Sequence, residues 1–290
     1  MASRQQIKRR IGSVKSTRQI TRAMQLMAAS KLRRAQDAVA GPREYSAVAR
    51  EILTHLRHLA QTEVQHPLFA ERPVKRRLII AISSDQGLAG AYDANIARRL
   101  LQELSEDRKA GRQTSVITIG RKVSHVVSRI ADVEVMAVYT NFADNPDAKE
   151  LRPLLSTIYD AFKKEEIDAV ELLYTRFKST VSQVVEMQRL LPAGFEEVEV
   201  SSDVSSAKIE PSIDVLIESS VQRLLEVQMY QARLEAVASE QSMRMIAMKN
   251  ATDNAGDIID DLTLEYNNAR QAAITQELAE ITGGAEALNG

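Results

Sequence analysis

Four groupings in the sequence have residue types and spacing that could do chemistry. Gly87 and Gly90 follow a short apolar run, Leu78–Ile82. A glycine-bearing turn between a strand and a helix can cradle phosphate on the helix N-terminus. The dinucleotide fingerprint G-x-G-x-x-G is absent, however, and so is the phosphate loop ending in G-K-[ST]. Two glycines in a tight turn first serve backbone geometry. Asp85 beside them reads as a cap for the turn that follows rather than as an acid–base group. His55 and His58 stand three apart and share a helix face, but His66 and His125 are remote in sequence and no third metal ligand accompanies the pair. Asp257, Asp260, Asp261 and Glu265 crowd one helical stretch. Paired carboxylates do acid–base work in a cleft; on an exposed coil they solvate it. The fourth grouping is basic: Arg4, Lys8, Arg9, Arg10, Lys15, Arg18 and Arg22. Such a row can track phosphates, but it has almost no interleaved aromatics to stack bases. No Ser/His/Asp set suggests a nucleophile. The sequence offers no convincing active site, and no cofactor or metal is implied.

The elements that must carry these residues are mostly helical. At 290 residues the chain allows one or two domains. Hydrophobic residues are 44% and aromatics 4% with no Trp, which suits long helices better than a thick core. There is no Cys, so disulfides and thiolate sites are excluded. No stretch approaches the ~20 apolar residues of a membrane span. The basic start lacks an apolar h-region and its pattern runs on for tens of residues, so it reads as mature structure. Charge is uneven. Residues 1–60 hold 13 Lys/Arg against three acids, and residues 208–290 hold 14 acids against six Lys/Arg. A basic N-terminal helix opposite an acidic C-terminal one is the simplest use of that asymmetry.

The longest element is predicted from Pro211 to Thr282. Proline can open a helix, and Gly256 is the sole glycine before Gly283. Leu224, Val227, Leu234, Ala238, Met245, Met248, Ala255, Ile259, Leu262, Tyr266, Ala269 and Ala273 form a heptad-like stripe, hence one narrow buried face. A helix of about 70 residues is ~105 Å long, too long for a domain of this size to cover. Its partner is residues 3–40, with seam positions Ile7, Ile11, Val14, Ala23 or Met24, Met27, Leu32, Ala35 and Val39. Gly41-Pro42 is expected to kink or interrupt that helix, and Tyr45–Leu59 resumes it. Between the two helices, β-branched runs at Leu78–Ile82, Val116–Ile119, Val133–Tyr139 and Val170–Tyr174 alternate with helical stretches at Ala94–Lys109, Lys122–Ile130 and Ala148–Glu165. That alternation implies a small, mainly parallel layer, with Val181–Met187 an added strand. Glu196–Ser206 is acidic and serine-rich and reads as a loop. The expected architecture is a long antiparallel coiled coil of N- and C-terminal helices with an inserted small Rossmann-like α/β domain. The segments are 1–60, a linker over 61–76 marked by His66-Pro67 and Arg72-Pro73, the α/β foot over 77–207, and the C-terminal helix over 208–290. Connectivity places Met24 near Met245 and Ile7 beside Leu262 or Tyr266. The C-terminal helix then overhangs its partner beyond roughly Asn267.

Ile7–Gln36, Ser83–Ile96 and Ser239–Leu288 resemble, in that order, the N-terminal helix, the first α/β turn and the C-terminal signature of the γ subunit of F-type ATP synthases. The resemblance spans essentially the whole chain, with Lys149–Ser206 matching loosely. Many relatives carry Cys where Ala89 stands, and the redox pair of chloroplast members is absent, so thiol regulation is not implied. The resemblance implies a non-catalytic rotor. Its partners would be the α3β3 hexamer, the ε subunit and the c-ring of Fo, with no nucleic acid and membrane contact only through the complex. Its place would be peripheral, on the cytoplasmic face of a bacterial plasma membrane. Proton flow would turn ring and shaft, driving ATP synthesis at sites on α and β. By position, Met24 matches the contact near the acidic lever of β, and Arg270, Gln271 and Thr275 match residues that meet its catch loop. Glu210 and Pro211 match the region meeting the c-ring. Two other classes stand beside this reading. A nucleic-acid-binding coiled coil would bind DNA or RNA with steep salt dependence. A nucleotide-using enzyme centred on Gly87–Gly90 would show turnover or saturable nucleotide binding by the isolated chain.

Overall fold

The computed structural model describes residues 4–63, 72–142, 148–192, 201 and 213–289. The elements in chain order are α1 (Arg4–Glu63), β1 (Arg76–Ile82), α2 (Tyr92–Lys109), β2 (Gln113–Ile119), α3 (Arg121–Val127) and β3 (Glu134–Tyr139). They continue with α4 (Ala148–Lys163), β4 (Ala169–Ser179), β5 (Ser182–Leu191) and α5 (Ile213–Asn289). Two compact units divide them: Met1–Ala28 with Arg244–Gly290, and Ala29–Met243. His66-Pro67, most of the Glu196–Ser206 stretch, Glu210 and Pro211 lie outside the described residues.

Helix α1 is not interrupted at Gly41-Pro42. Proline withholds one N–H and crowds one carbonyl, and the helical hydrogen bonds on either side carry the backbone across. Helix α5 likewise passes Thr282 and both following glycines to end at Asn289. Among the described residues, no helix is long and apolar enough to cross a membrane.

The larger unit is a five-stranded sheet in the order β3-β2-β1-β4-β5. The first four strands run parallel and β5 is antiparallel to β4. Strand β1 explains why the LIIAI run is apolar at every position: it is central and covered on both faces. Leu78, Ile80 and Ile82 pack with α4 and with Ile217–Ala236 of α5. Ile79 and Ala81 face Tyr92, Ile96 and Leu100 of α2 and Val123 and Val127 of α3. On the edge strand β3, Met136 is an extra residue between the pairs Val116↔Val135 and Ile117↔Ala137, a β-bulge.

The narrow-face expectation for α5 fails in this unit. Every residue from Ala232 to Ser242 is buried. The far ends of β4 and β5 run past the sheet and cover a second side of the helix. Ser239 Oγ donates to the Thr175 carbonyl at 3.0 Å and Ser242 Oγ to that of Thr180 at 2.8 Å.

Charged residues inside the unit are paired. Arg77 of β1 is 8% exposed and holds three carboxylates, with Nη1 2.8 Å from Asp107, Nη2 2.9 Å from Glu103, and Nε 2.5 Å from Glu171. Arg99, Arg112 and Arg189 reach the same acids from the rim. Burial works to lower the Arg77 pKa, but the hydrogen bond to Asp107 and the charges of Glu171 and Asp107 outweigh it and raise it. Asp168 joins β1 to β4 by accepting the backbone N–H of Arg76 at 2.8 Å and of Lys75 at 3.0 Å, with Arg72 Nε at 3.2 Å. Burial alone would raise its pKa; those N–H groups and the charges of Arg72 and Arg76 bring it below the ordinary value. A carboxylate depressed in the folded state contributes stability above its unfolded pKa of about 3.9 and loses it as pH falls through the folded value. Denaturant titrations between pH 6 and 2 should therefore show an acid-side loss of stability that shrinks in Asp168→Asn.

Candidate functional site

In the smaller unit the two helices pair antiparallel. Thr252 Oγ1 lies 2.8 Å from Thr21 Oγ1, and the Arg18 guanidinium lies against Gly256, its Cζ 3.6 Å from where a Cβ would sit. Three residues back along α1 thus correspond to four forward along α5. Each hydroxyl also touches its own helix, Thr252 at the Met248 carbonyl and Thr21 at that of Arg18. Ile7 and Ala28 of α1, and Met248, Ala255, Ile259 and Leu262 of α5, are buried along this seam. Thr21 and Ala28 are buried beside positions that the apolar reading gave to Ala23 or Met24 and to Met27; Met24 is half-buried, whereas Ala23 is exposed and Met27 is 58% exposed. The hydroxyls satisfy one another, so threonine fits where the pattern favoured a hydrocarbon. Met24 falls level with Lys249, one turn beyond the expected Met245. The chain has no Cys, so the register has a clean test. Cysteines at Thr21 and Thr252 should oxidise readily to a disulfide, whereas Met24 paired with Gln241 should not.

The opposite charges of the two helices do not serve to join them here. Among the described residues, no ion pair links the cations of α1 to Asp253, Asp257, Asp260, Asp261 or Glu265. Those carboxylates are exposed. Lys15, Arg18 and Arg22, at spacings of three and four, line an open groove with Thr252, Asp253 and Ile259. The half-buried Met24 lies on another face of α1 between two exposed apolar side chains, Ile20 at 60% and Met27 at 58%.

Arg4, the first described residue of α1, is level with Ala269. Beyond that level α5 loses its partner: from Arg270 to Thr282 every side chain is exposed except that of Ala273. Arg270, Gln271 and Thr275 lie at the root of this bare stretch, Thr275 Oγ1 donating to the Gln271 carbonyl at 3.0 Å. Ile274, Leu278 and Ile281, at spacings of four and three, are exposed along it, a stripe that the reading of the alanine seam passed over. The arrangement brings Arg270, Gln271 and Thr275 together but not Met24, which is about 30 Å away along the pair at ~1.5 Å per residue. Glu210 and Pro211 lie outside the described residues.

The groups weighed for catalysis are otherwise employed. Asp85 reaches beyond its own turn. Its carboxylate accepts the backbone N–H of Arg121 at 3.2 Å and of Asn141 at 2.8 Å, tying together the ends of β1, β2 and β3. Asp93 holds Ser84 by both N–H and hydroxyl, at 2.9 and 2.7 Å. Gly120, at φ 101°, is required because a Cβ there would lie 2.3 Å from the Ser83 carbonyl oxygen. The N–H groups of Ser84, Arg121 and Asn141 at this edge are thus taken by the chain's own carboxylates. Among the described residues no three His, Cys, Asp or Glu could hold a metal ion. His55 is half-buried, and the side chain of His58 lies outside the described set.

A family model described as ATP synthase matches residues 3–288. The ATP synthase gamma chain of Stenotrophomonas maltophilia strain R551-3 is 42% identical over 289 residues, covering 99% of this chain and 100% of that one. The gamma chain of Nitrosomonas eutropha is 41% identical over 298 residues, again covering 99% and 100%. Among solved structures, the central stalk and c-ring of the Tetrahymena thermophila mitochondrial ATP synthase aligns with a TM-score of 0.64 at 25% identity, covering 80% of this chain and 99% of that one. A rotor chain of the Euglena gracilis mitochondrial enzyme has the same fold, with a TM-score of 0.51 at 15% identity, covering 85% and 99%.

Proposed function

The chain belongs to the ATP synthase gamma-chain family, and from that premise we propose how it works as the rotor shaft of the complex. It is a non-catalytic subunit: ATP is made and hydrolysed on α and β, while this chain couples that chemistry to ion flow through Fo. The single observation that carries the reading is the family match from residue 3 to 288. The bare end of α5 supports it, because an exposed apolar stripe beside Arg270, Gln271 and Thr275 suits a helix enclosed by other subunits. We assign residues 1–60 and 208–290 to the shaft and 77–207 to the foot that meets ε and the c-ring. Arg270, Gln271 and Thr275 pass force to the catch loop of β, and Met24 meets its acidic lever. Glu210 and Pro211 face the c-ring. The complex is membrane-bound, and this subunit sits on the cytoplasmic face of a bacterial plasma membrane.

Co-expression with α, β and ε tests the reading. The chain should co-purify with α3β3 and ε as an active ATPase, and the isolated chain should hydrolyse no ATP. A chain that binds neither partner, or that turns over nucleotide alone, overturns it. The place of Met24 has its own test. Met24→Lys adds a cation between Ile20 and Met27, an attraction to acidic β surface present only at some rotor angles. ATP synthesis driven by a proton gradient should fall several-fold more than ATP hydrolysis. Equal loss of both would indicate misfolding instead.

A further inference from the structure

The larger unit has a cavity of about 800 Å³ at the end of its sheet where β1, β2 and β3 begin. Arg76, Gln113 and Glu134, the first residues of those strands, all line it. Ligands of open α/β sheets ordinarily lie beyond the carboxyl ends of the strands, so the fold alone gives no reason for a site here. The cavity itself does. Small-molecule sites are concave, of roughly 300–1,000 Å³, mostly apolar, with a few fixed polar groups.

Its floor is apolar. Leu104 and Ile167 are buried there, Ile130 and Val133 are half-buried, and Leu101 is 43% exposed. Its walls are fixed. Each loop that contributes to it turns back through a residue at positive φ: Gly111 at 67°, Asp132 at 66° and Glu165 at 57°. Two of the helix ends behind these loops are closed by backbone bonds. The Arg112 N–H donates to the Asp107 carbonyl at 2.9 Å, and the Glu166 N–H to the Ala161 carbonyl at 2.9 Å. A preformed site loses little freedom when it binds.

The rim carries guanidinium groups with unengaged donors. Among the described residues, the Arg108 side chain engages one nitrogen, Nη2, 3.4 Å from Asp132, and that of Arg112 engages Nη1, 3.1 Å from Asp107. Arg112 is anchored, because the Asp107 side chain is 2% exposed. The Arg108 and Asp132 side chains are 79% and 75% exposed, so that pair holds weakly and can be exchanged. A guanidinium fork takes a planar carboxylate by two parallel bonds. The carboxylates of Asp132, Glu134 and Glu166 share the lining. They repel a polyanion, and a single carboxylate is the charge that the rim accommodates.

We propose that this cavity binds a small amphipathic carboxylate. Its apolar ring or short chain lies over Leu101 and Leu104, and its carboxylate is taken by Arg108 and Arg112 in place of Asp132. The inference does not depend on the rotor reading, since every residue in it belongs to the larger unit.

Equilibrium dialysis of the full chain against 2-naphthoate near neutral pH tests it. Uptake should saturate with a Kd of about 1 mM or tighter, the range open to a ligand of this size. 2-Naphthalenemethanol has the ring without the charge and should bind about ten-fold more weakly, as naphthoate should to Arg108→Ala. Asp132→Asn frees Arg108 and keeps a residue tolerant of positive φ, so it should bind naphthoate several-fold more tightly. Leu101→Glu should abolish binding. All three positions are exposed, so the variants should unfold near the wild-type temperature. No saturable uptake by the wild-type chain overturns the site. Wild-type affinity in both Arg108→Ala and Leu101→Glu does the same, because the ligand then binds elsewhere. Equal affinity for the alcohol overturns the carboxylate, and weaker binding by Asp132→Asn overturns the exchange with Asp132. Displacement of naphthoate by inorganic phosphate at equal concentration overturns the apolar floor.

Discussion

Arg77→Met should destabilise the foot by about 3–5 kcal/mol, the usual range for removing one partner from a buried ion pair. The cause is what remains behind. Glu103, Asp107 and Glu171 converge on one guanidinium with little access to water, and methionine fills its volume without its charge. Arg99, Arg112 and Arg189 stay at the rim and keep the acids partly compensated. Substituting Glu171→Gln in the same chain should therefore recover part of the loss, because fewer unpaired charges stay buried. A double variant whose loss equals the sum of the two single losses would show that the groups do not act as one cluster. Urea unfolding of the whole chain, followed through the sheet, measures all three. Spectra of the smaller unit should be unchanged, because none of these residues belongs to it.

Arg270→Ala combined with Gln271→Ala should lower rotary ATP turnover about ten-fold or more in a complex that still assembles. The size is that of losing a charge-bearing hot spot at an interface. Both side chains are exposed in the chain alone, so their removal should leave its unfolding temperature nearly unchanged. That separates a lost contact from a damaged helix. Turnover equal to wild type would end the assignment of these residues to torque transfer.

Much of this was legible in the residues. The alternation of β-branched runs with helical stretches implied a small, mainly parallel α/β layer, and LIIAI showed as a strand by its apolar, β-branched run, though not its central place in the sheet. The α5 seam from Leu224 to Ala273 is buried or half-buried at every named position. What escaped was long-range or mutual. Arg77 meets acids 26 to 94 residues away, and no spacing rule reaches that far. Thr21 and Thr252 are polar taken singly and fit a core only as a pair. The burial of α5 around Ser239 depends on strands that overrun their own sheet.

The bulge at Met136 bears on the fate of newly made copies that have no partners yet. Strand β3 is an edge, and it displays Met136 and Val138 to solvent. A straight edge with such side chains is a template onto which another molecule's strand can add, the first step toward aggregates. One extra residue twists the strand and breaks the run of evenly spaced donors and acceptors. The orphan chain thus carries its own guard against fibre growth, built from a single misaligned methionine.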